Sequence, residues 1–287
     1  GMSISQINAG FVDDLAIDAP GHINTFRAGS VENLDLETQG NLKSFTATQM
    51  LDVSLEVAGD LGNGKFTDWT DGEIEAGSIG TLNSTGHWSD VELEVAGLLR
   101  TLKVNGWQDG SIVAASMDSM TVKENLTDVS IRLTSVPAVD DLKTMAIKTL
   151  TVTGLARELE FTTQGQVGTM TFGALEDSII HVGVNPSHDD WDDVEFGQTG
   201  TIRTFTIRGL RDLPDAASFS NSIVLARQLG KVQLQIVDVD AGLDEHGIAA
   251  QSIDNYVRKD GNQQVKLSKL LTPGDIDEAG RYVLRIV

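Results

Sequence analysis

The chain has 287 residues, with 42 Asp and Glu against 21 Lys and Arg, for a formal net charge of −21. That balance repels phosphate backbones and anionic lipid, which excludes nucleic acid and bare membrane on electrostatic grounds and leaves cations, basic proteins and neutral sugars. There are no cysteines, so disulfides, thiolate metal sites and cysteine nucleophiles are excluded together, and the apolar residues fall in clusters too short for a transmembrane segment.

Met2 leads straight into polar, alternating sequence, so no signal peptide is visible, and Gly1 ahead of it reads as a cloning remnant. An export signal is expected to lie outside this stretch. From Ile17 onward one apolar column recurs every 19 residues: Ile17, Leu36, Leu55, Ile74, Leu93, Ile112 and Ile131. Two residues later runs a second column of Ala19, Thr38, Val57, Ala76, Val95, Ala114 and Leu133, and mostly polar residues lie between the two. Apolar positions two apart share one face of a strand, so each repeat holds a half-buried strand.

The other half of each repeat carries a second short strand. Leu99-Arg100-Thr101-Leu102-Lys103-Val104 and Ile147-Lys148-Thr149-Leu150-Thr151-Val152 show its pattern, as do Val167 to Phe172 and Ile202 to Ile207. Gly106, Gly154, Gly173 and Gly209 follow these strands, where a tight corner favours a residue without a Cβ. Beyond residue 133 the period survives with excursions at Val136 to Met145, Asn185 to Gln198, Leu210 to Ser220 and Asp238 to His246. In the tail, Thr272-Pro273-Gly274-Asp275 signals a turn or helix start, and Arg281 to Val287 reads as a final strand.

A constant period places equivalent residues above one another, with each repeat pairing only with its neighbours. The expected fold is therefore all-β, a single-stranded parallel β-helix or β-solenoid with about 19-residue coils and a distinct C-terminal cap. It is expected as a single domain over 1–287, with regular coils at 11–135, coils with insertions at 136–250 and the cap at 251–287. A leucine-rich repeat is the competing fold, but the second half of each unit alternates like a strand and is rich in Val, Ile and Thr.

The pattern resembles repeat regions of large exported or surface-bound bacterial proteins. Ile79-Gly80-Thr81-Leu82 through Val95 matches one such unit, and Leu229-Gly230-Lys231-Val232 followed by His246-Gly247-Ile248-Ala249-Ala250 matches another. The resemblance implies an extracellular or cell-surface location and no activity.

Three features are candidates for chemistry. The first is a carboxylate column at the same 19-residue step: Asp14, Asn33, Asp52, Asp71, Asp90, Asp109 and Asp128. Such residues cap backbone groups at corners; as a ladder, Asp52, Asp71, Asp90, Asp109 and Asp128 would instead take Ca²⁺ between successive carboxylates. The second is the column of Trp69, Trp88 and Trp107, which is either a stacked core or an exposed strip that stacks on sugar rings. The third is the acidic excursion, where Asp189, Asp190, Asp192 and Asp193 are candidate ligands for a hard cation.

No Gly-x-Ser-x-Gly, His-Glu-x-x-His or phosphate-loop motif is present. The expected function is a non-enzymatic structural or adhesive segment of an exported or cell-surface protein, with polysaccharide or another surface protein as partner and Ca²⁺ as the only cofactor its acidic columns suggest. The alternative is a carbohydrate-active enzyme of parallel β-helix type, a polysaccharide lyase or glycoside hydrolase. That reading requires a groove along one face in which two or more carboxylates, or a carboxylate and an Arg, face each other within reach of one sugar.

Overall fold

The computed structural model describes residues 3–136, 144–184, 194–197, 199–240, 245–261 and 263–287. Every regular element among them is a β-strand, and no helix among them is long and apolar enough to cross a membrane. The chain divides into two compact units, Gly1–Val122 and Lys123–Val287.

The first unit holds β1 (Ile4–Asn8), β2 (Phe11–Ala19), β3 (Ile23–Arg27), β4 (Ser30–Thr38) and β5 (Leu42–Thr46). It continues with β6 (Gln49–Phe66), β7 (Asp68–Ser84), β8 (His87–Val104) and β9 (Gly106–Val122). All their pairings are parallel. The partners are β1 with β3, β3 with β5, β2 with β4 and β4 with β6, and then the long strands β6 to β9 in sequence. In the first half of each repeat the register is the sequence period itself: Leu36 faces Leu55, Leu55 faces Ile74, Ile74 faces Leu93 and Leu93 faces Ile112. In the second half it shifts by one residue, with Leu61 facing Ile79, Ile79 facing Leu99 and Leu99 facing Met117. Leu36, Leu55, Ile74, Leu93 and Ile112 are all buried, and so is the neighbouring column from Thr38 to Ala114. Alternation along each strand decides which face is apolar, and the constant step aligns those faces from one repeat to the next.

The interior of this unit is also rich in aromatic rings. Phe26 and Phe45 stack in parallel at 4.6 Å between ring centroids. The next position in their file is Gly64, where a Cβ would lie 2.7 Å from the Phe66 ring. Phe66 therefore fills the space that the missing side chain leaves.

The second unit holds β10 (Leu126–Leu133), β11 (Met145–Thr163), β12 (Gln166–Glu176), β13 (Ile179–Val182), β14 (Thr201–Ile207) and β15 (Phe219–Ser220). It ends with β16 (Ile223–Gln235), β17 (His246–Asp260), β18 (Gln263–Leu270), β19 (Gly274–Ala279) and β20 (Tyr282–Ile286). Parallel pairing persists, but its step widens wherever the sequence has an excursion. Ile131 pairs with Phe161, Val167 with Ile202, and Ile180 with Val224, while Phe161 and Ile180 keep the 19-residue step. The extra residues leave between strands and the chain returns to the same parallel ladder.

The tail changes the pattern. β20 pairs in parallel with the first half of β17, β18 pairs antiparallel with its second half, and β19 pairs antiparallel with β20. The Thr272 to Asp275 segment opens strand β19, so of the two local readings of this segment the turn holds and the helix start does not.

Truncating one interior rung tests this packing. Leu93→Ala is expected to lower the urea stability of the first unit by about 2–5 kcal/mol. The adjacent exposed Glu94→Gln is expected to stay within about 0.5 kcal/mol or to gain.

Candidate functional site

The carboxylate column is first a column of backbone geometry. Asp14, Asn33, Asp52, Asp71, Asp90, Asp109 and Asp128 all have φ between 49° and 57°. Glu158 and Asp177 continue the series at 52° and 49°. A left-handed residue bends the strand at one point, and Asp and Asn are the side-chain-bearing residues that reach this region at least cost. The 19-residue recurrence of Asp thus has a conformational cause that needs no ion. Where the file passes from Asp177 to Asn221 (φ 42°), the Asn221 amide donates to the Asp177 carboxylate at 2.6 Å.

On the first unit the same column lines a surface groove of about 430 Å³, bounded by Asp52, Asp71 and Asp90 with Glu73 and Glu92. Gly72 and Gly110 also line it, and they alternate with the buried Val53 and Val91 in the adjacent file. A Cβ on Gly110 would sit 2.3 Å from the Val91 carbonyl oxygen and 2.7 Å from Trp107 Nε1. The Ser54 hydroxyl donates to Glu73 at 2.9 Å across neighbouring strands. The groove lining includes no Arg, Lys, His or aromatic side chain.

Beside the groove runs a second acidic file, with Glu37 opposite Glu56, Glu56 opposite Glu75 and Glu75 opposite Glu94. Parallel neighbours lie about 4.8 Å apart, so like charges are stacked on a solvent face. The Glu37 carboxylate raises the pKa of Glu56 above its ordinary 4.5, with burial, Glu75, Asp35 and Glu73 adding in the same direction.

The tryptophans are not on this surface. Trp69, Trp88 and Trp107 are at most 2% exposed, which corrects the reading of them as a sugar-binding strip. Adjacent rings meet edge to face, at 5.4 Å and 5.2 Å between centroids. The Trp107 indole donates to the Asp109 carbonyl at 3.2 Å, while Trp69 and Trp88 bury their indole N–H groups without a partner. Met50 and Leu126, which stand at the same 19-residue step in the sequence and are themselves buried, are the sequence signal for this core position.

Among the described residues no group of three or more His, Asp and Glu is arranged to hold a metal ion. The candidate ligands Asp189, Asp190, Asp192 and Asp193 lie outside the described residues.

A polar cluster in the second unit has no counterpart in the sequence reading. Tyr256 and Tyr282 are the only tyrosines in the chain; they are buried, and their hydroxyls meet at 2.8 Å. Tyr256 also donates to Asp277 at 3.1 Å, and Arg258 is ion-paired to Asp277 and Asp260, each at 2.9 Å. His246 packs between Phe219 and Tyr282, where burial holds its pKa below the usual 6.5. These contacts tie β17, β19 and β20 together. The tyrosines and the arginine are buried, and the cluster fastens the tail.

A further groove in the second unit is lined by neutral polar groups and one arginine. Gln166, Thr201, Gln228 and Ser252 follow one another on adjacent strands, with Arg227 and Gln251 alongside. Comparison of the chain with protein-family models, curated proteins and solved structures gave no match in any of the three.

Two outcomes check these assignments. If the Asp column serves backbone geometry, Asp90→Gly keeps stability, whereas Asp90→Val costs about 1–2 kcal/mol more, because a β-branched residue without a polar side chain enters the left-handed region at greater cost than Asp. Because folding raises the pKa of Glu56, the folded chain holds that proton more tightly than the unfolded one. The protonated form's advantage is complete below 4.5 and is lost as pH rises through the raised value. Glu56→Gln should therefore melt higher than the parent at neutral pH. The difference should vanish below the carboxylate range and shrink in high salt.

Proposed function

We propose that the chain is a β-solenoid with 19-residue coils, closed by its C-terminal strands, that serves as a non-enzymatic structural or adhesive segment of an exported or cell-surface protein. The observation that carries this reading is the acidic groove of the first unit with the Glu file beside it. The apolar columns inside are packed and mutually supporting, while the acidic columns outside oppose each other at close range. A surface that holds aligned negative charge at a cost to its own fold is suited to a positively charged counterpart.

The partner we favour is a basic patch on another surface protein. A polysaccharide is a weaker fit to this groove, which has carboxylates to accept hydroxyl hydrogens but no aromatic face for a sugar ring. Ca²⁺ would fit the charge but needs several oxygens converging on one point. The carbohydrate-active alternative draws on the same groove, because carboxylates on adjacent strands are what a glycoside hydrolase would use. Release of reducing ends from acidic or neutral polysaccharides would support that alternative.

Charge-matched variants test the favoured reading. One neutralises Asp71, Glu73, Asp90 and Glu92 to their amides, and the other neutralises Asp212, Asp215, Glu245 and Glu278 in the second unit. Both carry the same net charge. Binding to a decalysine peptide at moderate salt should weaken by at least about tenfold in the first variant and little in the second. Equal losses would show that only net charge is sensed. A melting temperature that falls on adding EDTA would point to calcium instead.

A further inference from the structure

In the first unit, the rung made by β1 and β2 differs from those that follow. Ile4, Ile7, Leu15 and Ile17 occupy the same files as Ile23, Phe26, Leu34 and Leu36, with which they pair directly in parallel register. Those four partners are at most 2% exposed, whereas Leu15 is 37% exposed and Ile4, Ile7 and Ile17 are half-buried. Phe11 beside them is 57% exposed. Among the described residues β1 pairs only with β3, and β2 only with β4, so each presents an unpaired row of backbone donors and acceptors on its other edge. The tail of the second unit contrasts with this: there β18 and β19 lie antiparallel against their neighbours, and the tyrosine–arginine cluster fastens β19 and β20 to β17.

An exposed apolar file flanked by a free strand edge is costly in water and is a template for another strand. We propose that the outer face of β1 and β2 is a docking surface for one more rung of the same pattern. Its occupant is a pair of short strands with aliphatic residues at the file positions, added in parallel by edge pairing. The argument is continuity: the β1–β3 and β2–β4 interfaces already show how such a rung docks, in which register, and which side chains it covers. A second copy docking face to face about a twofold axis would instead set β2 antiparallel to its twin. That arrangement would oppose Asp13, Asp14 and Asp18 without reproducing the established register. The inference rests on the parallel repeat of the first unit and is independent of what the acidic groove binds.

The test supplies the occupant. A 19-residue rung copied from residues 23–41 is fused directly ahead of Ile4, so that its strands fall in register with β1 and β2. Hydrogen exchange is then read at the β1 and β2 amides. Protection there should rise by at least about tenfold over the parent chain. The cost of Leu15→Ser, small in the parent, should rise toward that of Leu34→Ser. A control fusion in which the copied equivalents of Ile23, Phe26, Leu34 and Leu36 are replaced by Ser should give no protection. Unchanged exchange in the apolar fusion would overturn the proposal. So would a parent chain that light scattering shows to be a dimer with β1 and β2 already protected, since the surface would then belong to a second copy.

Discussion

The constraint on which the first unit depends is the parallel register, which keeps a 19-residue step along the file from Leu36 to Ile112 and shifts by one residue in the other half of each long strand. It makes each side chain the neighbour of its own equivalent, so every choice in the repeat is multiplied. An aliphatic residue repeated at one position becomes a continuous buried file from Leu36 to Ile112. A Glu repeated at the next position becomes a file of like charges from Glu37 to Glu94. The first is favourable in proportion to the apolar area removed from water. The second opposes folding, weakly because water and salt screen it. The two files share strands, so one set of backbone hydrogen bonds enforces both.

The sequence made this register legible because the period was unbroken over residues 17 to 131. A file of residues at equal spacing needs no knowledge of distant contacts. The same property revealed the Asp column, and its uniform positive φ is the reason one residue type returns at that corner. The tail was not legible in this way. Tyr256, Arg258, Asp277 and Tyr282 meet only because β18 and β19 reverse direction and β20 then returns beside β17. No local pattern encodes that route, and the single available hint was that both tyrosines lie in the last stretch of chain. The tryptophans show a third case. Their spacing was plain, but a residue two before a left-handed corner can face either way, and only Met50 and Leu126 in the same file favoured the interior.

The buried tryptophans sit on the strands that carry the groove outside. A large ring on each of three successive strands exceeds the room an ordinary file provides. Space is recovered at Gly72 and Gly110, where an added Cβ would strike Trp69 Nε1 and Trp107 Nε1. The same two glycines are also among the residues that line the groove with Asp52, Asp71 and Asp90. The packed ring file and the acidic groove thus share the same strands. A binding surface here would inherit its rigidity from the ring file behind it, which is what a positioned recognition site requires.

A perfect repeat has a weakness that this unit avoids. If all rungs were identical, a slip by one whole repeat would keep every file apolar on apolar, and nothing would choose between alternative pairings. The departures from the repeat remove that degeneracy. Phe26 and Phe45 stack, Gly64 follows them in the file, and Phe66 fills the gap from the neighbouring file. Moving one strand by a repeat would set Phe45 against the wrong partner and leave Phe66 without its space. The alternation of Gly72, Val91 and Gly110 under the tryptophans acts likewise. Cavities and overpacking each cost on the order of 1–3 kcal/mol or more, so a few irregular side chains are enough to make one register win. The regular positions stabilise the stack, and the irregular ones decide which rung lies on which.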